Sequence, residues 1–112
     1  MIRAIAIDDE PRALKVVQAH AARVDFLQLR AVFTDPLQAL SFLDTEQVEL
    51  VFLDVDMPGM QGFDWLQQLR ERPQVILTTA HSRYALQGYE VEAVDFLLKP
   101  FDFPRFLKAV RR

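Results

Sequence analysis

Leu50-Val51-Phe52-Leu53-Asp54-Val55-Asp56-Met57-Pro58-Gly59-Met60-Gln61-Gly62 is the stretch whose reading decides the fold of this chain. Four apolar residues in a row follow polar Gln47 and Glu49, the pattern of a strand buried on both faces. The strand ends on a carboxylate. Pro58, Gly59 and Gly62 then turn the chain and let backbone approach whatever sits above the sheet. A carboxylate at the end of a buried strand is costly unless its charge is used. Ligands of open α/β sheets bind at the carboxyl ends of the strands, which makes Asp54 the first candidate for chemistry.

Working outward, Ile2 to Ile7 is a second buried strand and stops at the acidic cluster Asp8-Asp9-Glu10. Pro11 suits a first helical turn, and Leu14, Val17 and Ala21, flanked by Ala13 and Val24, keep helical spacing. Leu27, Leu29, Ala31 and Phe33 alternate with polar residues, apart from Val32, as a further strand. Asp35-Pro36 caps a helix from Leu37 to Leu43 that buries Leu37 and Leu40, with Leu43 beside them. Val48 to Leu53 is the central strand. Phe63, Leu66 and Leu69, with Trp65 nearby, define a helix ending around Arg72-Pro73. Val75 to Thr79 is a short strand ending on hydroxyls, Arg83 to Tyr89 a short helix, and Ala93 to Leu98 a fifth strand closing at Lys99-Pro100. A last helix from Asp102 or Phe103 to Arg112 turns Phe106, Leu107 and Val110 inward. Strand and helix alternate five times, which specifies an α/β fold: a doubly wound, five-stranded parallel sheet with helices on both faces.

At 112 residues this is one domain. A net charge of -3 without a basic face gives no electrostatic footprint for nucleic acid. Zero cysteines exclude disulfides, thiolate chemistry and Cys-ligated zinc. No apolar run approaches the roughly 20 residues a membrane-spanning helix needs, and no secretory pattern follows Met1, so a cytoplasmic location is expected. The last helix reads as cut short, with any effector domain expected beyond Arg112.

The strand ends offer Asp8 and Asp9, Asp54, Thr79 and Lys99. If those strands are neighbours, three carboxylates share one corner and repel each other, and a hard divalent cation is the simplest remedy. Mg²⁺ takes oxygen ligands, typically one or two carboxylates plus a phosphate oxygen, with Mn²⁺ as its substitute. A phosphoryl group arriving at Asp54 needs its equatorial oxygens neutralised, by the metal, the Lys99 ammonium and the Thr79 hydroxyl. Singly, each feature has a plainer reading. Asp8-Asp9-Glu10 suits a helix N-terminus, Lys99 a surface, Thr79 a strand end. His20 and His81 lack partners at metal spacing and read as surface residues, and Arg105, Lys108, Arg111 and Arg112 complement the last helix's dipole.

Taken in order, Asp8-Asp9, Asp54 with Met57-Pro58-Gly59 and Gly62, Thr79-Ala80 and Lys99-Pro100 resemble the receiver domain of two-component response regulators across the whole chain, 1–112. The resemblance implies a CheY-like (flavodoxin-like) sheet of order 2-1-3-4-5. It makes Asp54 the phosphoacceptor. Asp9 would ligate Mg²⁺ directly, Asp8 through water and Asp56 by its backbone carbonyl, while Thr79 and Lys99 contact the phosphate. The family's aromatic switch position falls on Phe96, which lacks a tyrosine hydroxyl and must work by ring burial, coupled to Thr79. Thr78-Thr79-Ala80, Tyr84-Ala85-Leu86 and Val94 to Phe101 are similar to receivers attached to LytTR-type DNA-binding domains. The implied partner is a sensor histidine kinase or phosphotransfer protein. A homodimer through the face of helix four, strand five and helix five is expected, and any DNA binding belongs to the effector domain.

Two other readings stay open at this point. Asp54-Val55-Asp56 also fits the nucleophile motif of haloacid-dehalogenase-type phosphatases, although there the acidic metal pair follows the other motifs, whereas Asp8-Asp9 precede them. A receiver-like binding module that is never phosphorylated would keep the same residues.

Overall fold

The computed structural model describes residues 1–112, and strand and helix alternate through all of them. The elements are β1 (Ile2–Ile7), α1 (Pro11–Ala21), β2 (Leu27–Phe33), α2 (Pro36–Thr45), β3 (Leu50–Asp54), α3 (Gly62–Leu66), β4 (Gln74–Thr79), α4 (Ala85–Glu90), β5 (Asp95–Leu98) and α5 (Phe103–Val110). A 3-10 turn at Ser82–Tyr84 leads into α4. The strands form one sheet in the order β2-β1-β3-β4-β5, every pair parallel, as expected.

Because successive side chains of a strand point to opposite faces, each strand serves two cores. Ala4, Ala6, Phe52, Ile76 and Leu97 pack against α1 and α5 through Leu14, Val17 and Phe106. Ile5, Ile7, Val51, Leu53 and Leu77 pack against Ala39 of α2 and Trp65 and Leu66 of α3. All five residues of β3 are buried, which is why it reads as an unbroken apolar run. Each such side chain taken fully from water contributes about 1.5–3 kcal/mol.

The exception noted at Val32 has a cause. The β1–β2 register slips between Ala4 and Ile5, pairing them with Leu29 and Ala31 and leaving Arg30 as the extra residue. A bulge of this kind resets the alternation. Leu29 and Val32 therefore pack on the α1/α5 core, and Ala31 and Phe33 on the other.

Four expectations are corrected. The helix expected to run from Phe63 to Arg72 is only Gly62–Leu66; beyond it Gln67, Gln68 and Leu69 donate to carbonyls three residues back. Gln67, Gln68, Arg70 and Glu71 are exposed, so no apolar face continues the helix. In α2 the buried residue is Ala39, while Leu37 is 57% exposed. The Asp35 carboxylate caps the Leu37 N–H at 2.9 Å and the Pro36 carbonyl accepts the indole N–H of the fully buried Trp65 at 2.8 Å, two bonds that hold the rotation of the helix start. The central strand starts at Leu50 rather than Val48. β5 starts at Asp95 rather than Ala93, because the Ala93 N–H still closes α4 on the Gly88 carbonyl and Glu92 sits at φ 59°.

Candidate functional site

The carboxyl ends of β1, β3 and β5 deliver Asp8, Asp54 and Lys99 to one corner. Asp8 follows β1 directly and is 4% exposed. One of its oxygens accepts the Glu10 N–H at 2.9 Å and the other the Lys99 ammonium at 2.6 Å. Asp54 closes β3 at 3% exposure, with Oδ1 3.5 Å from the same ammonium. Asp9, exposed, turns back so that Asp8, Asp9 and Asp54 each place an oxygen within 4.8 Å of the others. Lys99 is held in place from its backbone, where its N–H donates to the Thr79 carbonyl at 2.7 Å; the Lys99–Pro100 peptide is cis.

The loop after β3 is shaped by two glycines. Gly59 adopts φ 80°, where other residues are strained. Gly62 lies against the backbone of the strand end: a Cβ there would meet the Asp54 carbonyl oxygen at 2.5 Å. The Gly62 N–H donates to the Val55 carbonyl at 2.8 Å and the Val55 N–H to Thr78 at 3.0 Å, so the chain below Asp54 is tied on both sides.

Charge in this corner does not balance. Three carboxylates face one ammonium. Burial, followed by the charge of Asp8, pushes the Asp54 carboxyl up to about 7, with a hydrogen bond to Asp9 in the same direction; Lys99 and the Asp56 N–H oppose them. For Lys99, burial by itself favours the neutral amine, but the Asp8 hydrogen bond and the Asp54 charge outweigh it and raise its pKa. A cluster of hard oxygen donors with surplus negative charge, lacking imidazole or thiolate, fits Mg²⁺ or Mn²⁺.

The remaining expected residues surround this corner. Thr79 is fully buried, and its hydroxyl accepts the His81 N–H at 3.1 Å. The Asp56 side chain is exposed, 3.9 Å from the His81 ring. Phe96 is half-buried on the α3 side of the sheet, across from Leu77.

Three features escaped the sequence reading. His20 is not a surface residue: it is half-buried, its ring within 6 Å of those of Phe101, Phe103 and Phe106, and its Nε2 is 3.1 Å from the Phe101 carbonyl. Arg105 does more than face the helix dipole; it holds Asp95 through two hydrogen bonds of 2.9 and 2.8 Å, reaches the Phe96 carbonyl, and keeps the Asp95 carboxyl low against the opposing effect of burial. Gly88, the only buried residue of α4, carried no motif. The Asp95-to-Arg105 spacing and an isolated glycine in a helical pattern were the available signals.

Comparison with known proteins agrees with this fold. Residues 4–111 match the family model described as response regulator receiver domain. A response regulatory protein of Vibrio cholerae is 33% identical over all of this chain and 48% of its own length. The sensory transduction protein LytT of Bacillus cereus is 30% identical over all of this chain and 47% of its own. The chain thus spans about half the length of the curated relatives it matches. Among solved structures, the response regulatory domain of MrkE from Klebsiella pneumoniae superposes with a TM-score of 0.87 at 26% identity, covering 98% of this chain and 93% of that one. No helix is long and apolar enough to cross a membrane.

Proposed function

Because the chain belongs to the response regulator receiver domain family of two-component systems, we propose that it is a phosphoacceptor switch whose chemistry is carried by Asp54. The supporting observation is the corner itself: a buried carboxylate whose nearest charged neighbours are two further carboxylates and a single ammonium. Receiver domains are signalling modules rather than classical enzymes, which favours the switch over a phosphatase.

An Asp54 oxygen attacks the phosphorus of a phosphohistidine on the partner kinase or phosphotransfer protein. An O–P bond forms as the P–N bond breaks, and the electron pair leaves with the imidazole. Asp9, Asp54 and the Asp56 backbone carbonyl, with Asp8 acting through water, would hold Mg²⁺, which when bound would supply neutralisation of charge on one phosphoryl oxygen. Lys99 neutralises a second oxygen, shifting its hydrogen bonds from the carboxylates to the phosphoryl group. The Thr79 hydroxyl takes the third and gives up its bond from His81. The burial of Asp8 and Thr79 keeps competing water off the acceptor. Phe96 then repacks by ring burial, and the face of α4, β5 and α5 changes as a homodimer surface. In a longer protein this controls output through a LytTR-type DNA-binding domain, the reading favoured by the LytT relative.

Incubation with Mg²⁺ and acetyl phosphate followed by intact-mass measurement tests the proposal. One added phosphoryl group, absent in Asp54→Asn and retained in Asp56→Asn, is expected. No adduct on the wild-type chain points instead to an inert binding module, and steady turnover of p-nitrophenyl phosphate to a phosphatase.

A further inference from the structure

Helix α4 is attached to the domain in an unusual way. Of its six residues only Gly88 is buried; Ala85, Leu86, Gln87, Tyr89 and Glu90 are all exposed. The helix therefore rests on the sheet through the one position that has no side chain. A Cβ at Gly88 would lie 3.0 Å from Leu77 Cδ1 and 3.2 Å from Cδ2 of Phe96, so the helix backbone already touches both side chains.

Those two contacts connect directly to the site. Leu77 and Phe96 are register partners across β4 and β5, and Leu77 is also the register partner of Leu53, the residue before Asp54. Leu77 stands two residues before Thr79 and so shares its face of the strand. After Gly88 the chain closes α4 on the Gly88 carbonyl, turns through Glu92 at positive φ and re-enters the sheet as β5, which carries Phe96. Ring and helix are thus joined by contact at one end and by a short turn at the other. In a close-packed contact with no intervening side chain there is no slack to absorb a displacement. A methyl at position 88 would force Leu77 and the Phe96 ring to give by a few tenths of an ångström and so change how the helix is seated on the ring.

We propose that Gly88 is the joint through which α4 follows the phosphoryl state of Asp54: the helix backbone rides on the Phe96 ring, so ring and helix move as one piece. What moves with them is an apolar surface, since Leu86 and Tyr89 are 69% and 83% exposed on the same helix. The inference rests on the phosphoacceptor reading and adds the residue that transmits its output.

The test uses the whole chain with Mg²⁺ and beryllofluoride, followed by backbone amide chemical shifts. In the wild type, the amides of Val55 to Gly62 and those of Ala85 to Glu90 both shift on saturation. Gly88→Ala should keep the shifts around Asp54, with a beryllofluoride dissociation constant within about threefold, and lose at least half of the α4 response. Gln87→Ala, an exposed neighbour, should keep both. Phe96→Leu opens the same contact from the other side and should reproduce the loss, which covers the case of Gly88→Ala failing to fold. An α4 response of wild-type size in Gly88→Ala or in Phe96→Leu overturns the joint, as does its loss in Gln87→Ala. Wild-type protein whose Val55 to Gly62 amides ignore beryllofluoride overturns the phosphoacceptor reading, and the joint with it.

Discussion

The two ends of the central strands carry ionic clusters of opposite design. At the amino ends, Arg3 of β1 and Glu49 just before β3 form one closed pair, the guanidinium meeting both carboxylate oxygens at 2.7–3.1 Å and the Arg3 backbone N–H adding a fourth bond. One cation meets one anion, and the hydrogen bonds drive the two pKa values apart: Arg3 up, Glu49 down. At the carboxyl ends of the same two strands, Asp8 and Asp54 share one ammonium with Asp9 close by, and Asp54 is pushed up to about 7. The first cluster satisfies itself and joins two strands. The second is short of positive charge, and that deficit is what a cation and a phosphoryl group can use.

The difference is largest at Lys99. Lys99→Ala should slow phosphorylation of Asp54 by acetyl phosphate about 100-fold, the scale of losing one preorganised donor to a developing oxyanion. The same variant should bind Mg²⁺ more tightly in a titration, because a competing cation is gone. Weaker Mg²⁺ binding would mean that the ammonium organises the carboxylates rather than competing for them.

Gly62→Ala comes next. Its Cβ meets backbone, not a flexible side chain, so the loop must shift, at a cost of about 2 kcal/mol read in urea unfolding. A cost within experimental error would place the loop under less constraint than its geometry indicates.

A further effect, of similar size, separates the clusters by pH. The folded-state pKa of Asp54 lies above its ordinary value of 3.8, so the folded chain binds more protons between the two. In EDTA, stability should therefore fall as pH rises from about 4 to about 7, and this component should vanish in Asp54→Asn. Mg²⁺ at a hundredfold excess over its dissociation constant should add about 2.7 kcal/mol at pH 8, and less in Asp54→Asn. A cation effect of equal size in both proteins would move the metal site elsewhere. Least of all, Arg3→Ala should cause a small loss of stability that salt screens and leave the phosphorylation rate unchanged, since the pair is more than a third exposed.

Much of this was legible in the sequence. The unbroken apolar runs of β1, β3 and β4 and the carboxylates, hydroxyls and lysine that end the strands are local signals, and they located Asp8, Asp9, Asp54, Thr79 and Lys99 as candidates. Locality also sets the limit. Arg30 as a bulge depends on what β1 offers opposite it, the place of His20 on phenylalanines some eighty residues away, and the exposure of Leu37 on bonds at Asp35 and Pro36 that hold the helix. None of these is periodic, and periodicity is what a sequence displays.

By itself the sequence determined the order of elements, the parallel sheet and the residue types that end each strand, because burial and turn formation act on neighbours along the chain. Only the tertiary structure decided that three carboxylates share one ammonium, that Arg105 is spent on Asp95, and that α4 stands on a glycine. Each of those depends on distances between segments far apart in sequence, and Coulomb and contact energies are settled by those distances.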